Sequence, residues 1–424
     1  MNVFQVFTPA DTPTVTYVER VDRKLEGQLR GALRTPKMIT SLSGPSKSGK
    51  TVLIKKVIDP DDLITVSGAA VKSAADLWAR VLNWMDAPSQ VSTTKDHTIG
   101  VKAEGKAQAK TSIIVASGQI EAGGGLEYKH GRSSEEVRER GGIDQVVREI
   151  GGSDFVLFID DFHYMPKETQ AEVARQLKEA AEAGVRVCTA SVPHRSDDVV
   201  RSNPELRGRV QAIDFDYWTV DEVLEIARRG FDALHLVLPE ANLSRLAQEA
   251  FGSPQLIQQI CLQACLRSGI EESAAEPTHM TFTSDAIRSV LEQASTTTDF
   301  SSLLEALHNG PKVRGAPRNQ FIFRDGSAGD VYRCILLGLQ LDPPALSFSY
   351  DDIYQRTRAV CSEAAPAGSS VSQALEQLPQ IADDLEPNSR LIEWSDDVLD
   401  IVDPYFLYFL RCSPKLKALA RTPA

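Results

Sequence analysis

The octapeptide GPSKSGKT, Gly44 to Thr51, limits what this chain can fold into more than any other stretch of it. Its two glycines let backbone N–H groups turn inward around an anion, and the lysine and hydroxyl that follow supply a charge and a metal ligand. Such a loop suits phosphate when it joins a strand to a helix N-terminus, where unpaired N–H groups and the helix dipole both favour negative charge. The flanks provide this: MITSL, Met38 to Leu42, reads as a short strand, and VLIKKVI continues as a helix from Thr51. An ordinary glycine turn can carry the same pattern, so the flanks carry weight. The expected phosphate cradle is Gly44, Pro45, Ser46, Lys47, Ser48, Gly49, Lys50 and Thr51. In it Lys50 reaches the β- and γ-phosphates of ATP, and Thr51 holds Mg2+.

A second half of the site lies at FVLFIDD, Phe155 to Asp161. Five apolar residues in a row suit a strand buried on both faces of a parallel sheet. Two carboxylates at its end are costly to bury without a cation or hydrogen bonds. Asp160 is the candidate for holding Mg2+ through water, and Asp161 for orienting or deprotonating an attacking water. The alternative for Asp161 is a cap on the following helix.

Around these motifs strands and helices alternate. An amphipathic entry helix is predicted over 16–34 from Val18, Val21, Leu25, Leu29 and Leu33, a strand at Leu63 to Val66, and a serine-capped helix from Ser73. Residues 88–142 are rich in Gly, Ala, Ser and Lys with two alternating arms, the pattern of a β-hairpin insertion; a membrane-spanning hairpin shares it but has aromatic girdles. Then follow a helix at Ile143 to Ile150, the acidic strand, a helix at Glu168 to Ala183 and a strand at Val185 to Ala190. From Thr219 to Gln293 the pattern is helical with no strand. Helices at 329–341, 350–361 and 370–384 and a hairpin from RLIEW to VLDIV describe a winged helix. The fold class expected is α/β: a P-loop three-layer parallel sheet domain, a helical lid domain and a C-terminal winged helix. Its expected divisions are 1–35 for the N-terminal segment and entry helix, 36–215 for the P-loop domain, 216–300 for the lid and 301–424 for the winged helix.

Length fits two or three domains, since 424 residues exceed one ordinary core. A net charge of −12 opposes a surface built for nucleic acid. The helix that would read DNA, SVSQALEQLPQIADD, holds no basic residue, and the wing adds five carboxylates, so protein contact is expected over DNA contact. The six cysteines form no CxxC pair, which fits a reduced, cytoplasmic protein. MNVFQVFTPADTPT lacks a basic start before an apolar stretch, and no run reaches about 18 apolar residues, so neither an export signal nor a membrane helix is expected. His163 and His194 have no second ligand at metal spacing and read as packed or hydrogen-bonded residues.

On GPSKSGKT and FVLFIDD together the chain resembles the AAA+ and STAND group of P-loop ATPases over most of its length. The resemblance implies ATP and Mg2+ as cofactors. It also implies a polar sensor at the end of the next strand, in VRVCTASVPHR, where Ser191 matches better than Thr189. His194 and Arg195 follow there as weaker γ-phosphate contacts. In NPELRGRVQAIDF it implies an arginine finger, Arg209 before Arg207, acting on a neighbouring copy and so implying a homo-oligomer. A surface arginine paired with Glu205 is the plain alternative. AFGSPQLIQQIC is similar to the segment whose GxP pattern, here Gly252 and Pro254, touches the nucleotide in STAND proteins; glycine and proline can also simply punctuate two helices. Many AAA+ members carry an arginine where this chain has Gln255, which fits slow hydrolysis. DPYFLYFLR is similar to a C-terminal segment of bacterial proteins of this kind, whose winged helix packs on the nucleotide domain.

The function implied is a nucleotide switch controlling self-assembly and a separate effector protein, since no nuclease, protease or NAD-cleaving constellation is present, with antiviral defence implied by the resemblance alone. Two alternatives stand beside it. One is a DNA-binding AAA+ ATPase of the replication-initiator or transposition-regulator type, with Lys95, Lys102, Lys106 and Lys110 carrying the contact. The other is a nucleotide-binding scaffold without turnover.

Overall fold

The structure, a computed structural model, describes residues 1–86, 90–92, 137–139, 142–192, 204–312, 317–386 and 391–420. Of the insertion expected over 88–142, only an antiparallel pair falls within them, β3 (Gln90–Ser92) against β4 (Val137–Glu139). Lys95, Lys102, Lys106 and Lys110, and His194 and Arg195, lie outside the described residues.

Five strands form one parallel sheet: β1 (Ile39–Ser43), β2 (Leu63–Ser67), β5 (Val156–Asp160), β6 (Arg186–Ser191) and β7 (Val210–Asp214), in the order β2-β5-β6-β1-β7. The apolar runs of the sequence follow from the layers on both faces. Alternate residues of β5 point to opposite sides, Val156 and Phe158 into one core and Leu157 and Ile159 into the other. After a short N-terminal α1 (Val3–Val6), helices α2 (Leu25–Arg34) and α3 (Lys50–Val57) cover the first face through Leu29, Leu33 and Ile54. Helices α4 (Ala74–Trp84), α5 (Ile143–Ile150) and α6 (Lys167–Glu182) cover the second through Trp78, Val146 and Leu177. As expected, the Ser73 hydroxyl caps α4 by accepting the Asp76 N–H. This is the P-loop NTPase fold with the strand order of AAA+ proteins.

The entry helix is shorter than its periodicity predicts. It begins at Leu25, after a left-handed Lys24, and Val21 is 65% exposed. Val18 is buried, but in an extended strap that runs to the helical region. A strap can bury one apolar residue without any helical period, so Val18 and Val21 extended the pattern by coincidence.

The helical region holds α7 (Val220–Ala233), α8 (Glu240–Gln248), α9 (Pro254–Arg267) and α10 (Ser284–Ser295). It is not free of strands: β8 (Leu236–Val237) pairs in parallel with β9 (Thr278–His279). Two residues are too short for alternation to register.

Beyond it come α11 (Ser301–Asn309), the short pair β10 (Phe321–Ile322) and β11 (Ala328–Gly329), and α12 (Val331–Leu339). Then follow β12 (Ser347–Ser349), α13 (Tyr350–Val360), α14 (Gly368–Leu385), β13 (Ile392–Ser395) and β14 (Val398–Ile401). The predicted hairpin is β13–β14, turning at Asp396 and Asp397, both with positive φ. β12 adds a third antiparallel strand that one apolar residue, Phe348, did not betray. DPYFLYFLR becomes α15 (Pro404–Cys412), followed by α16 (Lys415–Ala418). Apolar on every side, α15 is buried from Tyr405 to Leu410.

One apolar cluster runs from Val3, Val6 and Phe7 through α7–α10 to Leu416. Phe300, at the predicted division, packs edge-on against Phe406 and Phe409, so no break in the core marks that point. Among the described residues no helix is long and apolar enough to cross a membrane.

Candidate active site

β6 lies between β1 and β5 in the sheet, so the loop after β1 and the acids at the end of β5 flank the end of β6. Ligands of open parallel sheets bind at this carboxyl end. Here the structure brings together the whole octapeptide, Asp160, Asp161 and Ser191.

The loop is tightly held. The Gly44 N–H donates to the Ser191 carbonyl (3.3 Å), and a side chain at Gly44 would overlap Phe215, whose N–H bonds the Ser43 carbonyl at 2.6 Å. Gly49 has φ +97° and Lys47 φ +60°. The turn delivers Lys50 to the first position of α3, where its Nζ donates to the Gly44 and Pro45 carbonyls, both at 2.8 Å. Burial lowers the Lys50 pKa to about 8, against the opposing pull of Asp160 and Asp161. Phosphate requires the ammonium, so MgATP affinity is expected to be level near pH 7 and to fall as pH rises through about 8, by roughly tenfold per unit. Lys50→Arg should be flat to about pH 9. Calorimetry across pH reads this, and a level wild-type profile would show that Lys50 stays charged throughout.

The Thr51 hydroxyl donates to Asp160 Oδ2 at 2.6 Å, and Oδ1 accepts the Asp161 N–H at 3.0 Å. A hydroxyl and a carboxylate are hard oxygen donors, the set Mg2+ takes alongside phosphate oxygens and water. Among the described residues no group of three or more His, Cys, Asp or Glu could hold a metal by itself. Asp161 sits in the left-handed region, φ 54°, ahead of a 3-10 turn at Phe162–Tyr164, and its side chain makes no capping bond to that turn. Burial, and then the Asp160 charge, raises its pKa. Ser191 ends β6 with a buried hydroxyl that has no hydrogen-bond partner among the described residues. Thr189, two residues earlier, is buried within the strand.

The far wall comes from the helical region. Gly252 has φ +68°, and a Cβ there would lie 2.5 Å from the Trp218 carbonyl. Ser253 caps α9, Pro254 opens it, and Pro254 and Gln255 face the loop across a cavity of about 700 Å³. His163 lies beside Tyr164, ring centroids 4.2 Å apart, and lines the same space.

Arg209 is placed elsewhere. It precedes β7, its carbonyl accepts the Ile39 N–H at the start of β1, and its guanidinium pairs with Glu182 at 2.5 Å. That is the amino end of the parallel strands, while the loop follows the carboxyl end of β1, so within one chain Arg209 does not reach the phosphate site. Arg207 is exposed, and the Glu205 side chain lies outside the described ones.

Two contacts were invisible in the sequence. Lys47 Nζ reaches Asp403 at 3.1 Å and lies 3.9 Å from the Tyr405 ring centroid, which ties the loop to the start of α15. The Trp218 indole N–H donates to the Ser48 carbonyl at 2.9 Å. Residues that meet across 356 and 170 positions leave no local spacing to read. Glu386 and Glu393 line the same cavity as Asp403, and so do Pro9 to Pro13 of the N-terminal segment.

No family model matches the chain, and no curated protein is similar to it. Among solved structures it is similar to Cdc6p from Pyrobaculum aerophilum, at 16% identity over 99% of both chains with a TM-score of 0.43. It is also similar to a Walker-type ATPase of Pyrococcus abyssi, at 15% identity over 94% of this chain and 100% of that one, TM-score 0.49. The ORC2 protein of Aeropyrum pernix, in ADPNP–ADP complexes, gives 12% identity over 98% of both chains and a TM-score of 0.48. Likenesses of this strength carry nothing about activity or partners. The strand order, the loop after β1 and the acidic end of β5 define an AAA+-type P-loop fold on their own.

Proposed function

We propose that the protein is a Mg2+-dependent ATP-binding switch of the cytoplasm that hydrolyses ATP slowly. The observation that carries this is the preformed Thr51–Asp160 bond beside Lys50, in a cavity whose roof is the C-terminal region, clamped to the loop through Lys47 and Asp403. When bound, Mg2+ neutralises charge on the phosphates, and Thr51 and Asp160 are the residues that would hold it. The loop N–H groups and Lys50 bind the phosphates. Asp161 accepts a proton from the attacking water or orients it, and the unpartnered Ser191 hydroxyl contacts the water or the γ-phosphate. Gly252 and Pro254 place α9 against the nucleotide, and Gln255, uncharged, supports a slow rate.

ATP adds negative charge beside Asp403, Glu386 and Glu393, which favours release of the Lys47 clamp and a different placement of the C-terminal region. We read residues 216–300 as the lid and 301–424, built on α12, α13, α14 and the β12-β14-β13 sheet, as a winged helix. Carboxylates at Glu393, Asp396, Asp397 and Asp400 on its hairpin favour a protein effector over DNA. Arg209, at the strand end away from its own loop, is free to serve a neighbouring copy of the chain once its exposed pair with Glu182 opens. A role in antiviral defence rests on the resemblance to STAND proteins alone.

Calorimetry and light scattering on the full chain test this. MgATP is expected to bind, Lys50→Ala to abolish its heat, and ATP but not ADP to raise the mass in an Arg209-dependent way. No heat from any nucleoside triphosphate overturns the reading. Retention on duplex DNA that falls steeply with salt would replace the effector with the replication-type alternative.

A further inference from the structure

Trp218 lies outside the octapeptide and the acidic strand, yet its indole reaches the middle of the loop. Its indole N–H donates to the carbonyl of Ser48 at 2.9 Å. A trans peptide points its carbonyl and the next N–H in opposite directions. Holding the Ser48 carbonyl to the indole therefore fixes the direction of the Gly49 N–H as well, pointing away from Trp218. Gly49, at φ +97°, is the one loop residue whose backbone is free to swing otherwise.

Trp218 is itself held through both its ring and its backbone. Arg20 lies over its ring at 5.1 Å, donates to the Asp216 and Tyr217 carbonyls at 3.1 and 3.3 Å, and pairs with Glu222 through two bonds at 2.9 and 3.2 Å. The Trp218 backbone N–H donates to the Gly252 carbonyl (3.3 Å), and Gly252 closes against the Trp218 backbone. Trp218 thus joins the N-terminal strap, the link between β7 and α7, and the turn before α9, all at one loop carbonyl.

We propose that Trp218 is the positioning residue of the phosphate cradle, orienting the Ser48–Gly49 peptide according to the placement of the helical region. This rests on the reading of the loop as an ATP site. The indole acts on phosphate and not on the base, so its loss weakens every ligand that carries a triphosphate.

Trp218→Phe keeps an aromatic ring and removes only the donor. Calorimetry with MgATP and with Mg2+-tripolyphosphate, which has no base, is expected to show both weakened by the same factor, roughly three- to tenfold, as for one lost hydrogen bond. The loss should appear in KM, with kcat near wild type, because the peptide is held alike before and during reaction. If ATP weakens while tripolyphosphate does not, Trp218 contacts the base and the proposal fails; unchanged affinity for both also overturns it. Should Trp218→Phe not fold, Arg20→Lys loosens the indole without deleting it and is expected to weaken tripolyphosphate, with no change again overturning the proposal. A wild type that binds neither ligand would instead remove the ATP site itself.

Discussion

Asp161→Asn is expected to lower ATP turnover by roughly 10²- to 10³-fold while leaving MgATP affinity close to wild type. The amide matches the carboxylate in shape but accepts no proton. In the wild type this carboxylate is raised in pKa by burial and by the neighbouring Asp160 charge, which makes it a better base than an exposed aspartate. Removing its charge also relieves repulsion with phosphate, so binding should not suffer. Lys50→Ala should do the reverse, since without the ammonium the cradle loses the charge that meets the β- and γ-phosphates. Phosphate release and nucleotide titration on both variants separate the roles. The sign with pH follows: the base works when deprotonated, so wild-type turnover falls as pH drops through the Asp161 pKa, and the asparagine variant has no such limb. Equal turnover in wild type and Asp161→Asn would leave a nucleotide-binding scaffold.

The parts of this site that were legible in the sequence are those written in consecutive residues. FVLFIDD carries a buried strand and the acids at its end, GPSKSGKT directly follows the buried strand β1, and both appear where the spacing puts them. The helix Ile143–Ile150 has the bounds expected of it, because α5 buries one apolar stripe, Val146 and Ile150, in the core it shares with α4 and α6. What the chain hid was tertiary. Lys47 reads as an ordinary loop position until Asp403 and Tyr405 arrive from the far end. Val18 satisfied a helical period while serving an extended strap, and β8 with β9 is too short to alternate. Arg209 was chosen by resemblance, and its position at the amino end of β7, beside the start of β1, required the sheet register to be known.

Arg411→Met is expected to destabilise the helical and C-terminal regions by about 3 kcal/mol, which in a cooperative unit of roughly 200 residues lowers the melting midpoint by about 6 to 12 °C. Arg411 sits on α15 with its side chain 5% exposed, and grips Glu249, after α8, through Nε at 3.1 Å and Nη2 at 2.9 Å. It also bonds Asp342 at 2.7 Å and the Gln340 and Leu341 carbonyls after α12. Truncation leaves Glu249, whose side chain is 2% exposed, with Arg245 as its remaining cation among the described residues, and Arg245 is 40% exposed and so screened by solvent. That residual pair places the cost at the lower end of the range for a broken buried ion pair. The cost is that of an uncompensated buried charge and not of a lost attraction, so adding Glu249→Leu to Arg411→Met should recover most of the midpoint. Differential scanning calorimetry of the single and double variants distinguishes the two origins. A double variant no better than the single one would mean that the bonds to the α12 carbonyls, rather than the carboxylate, hold α15 against the helical region.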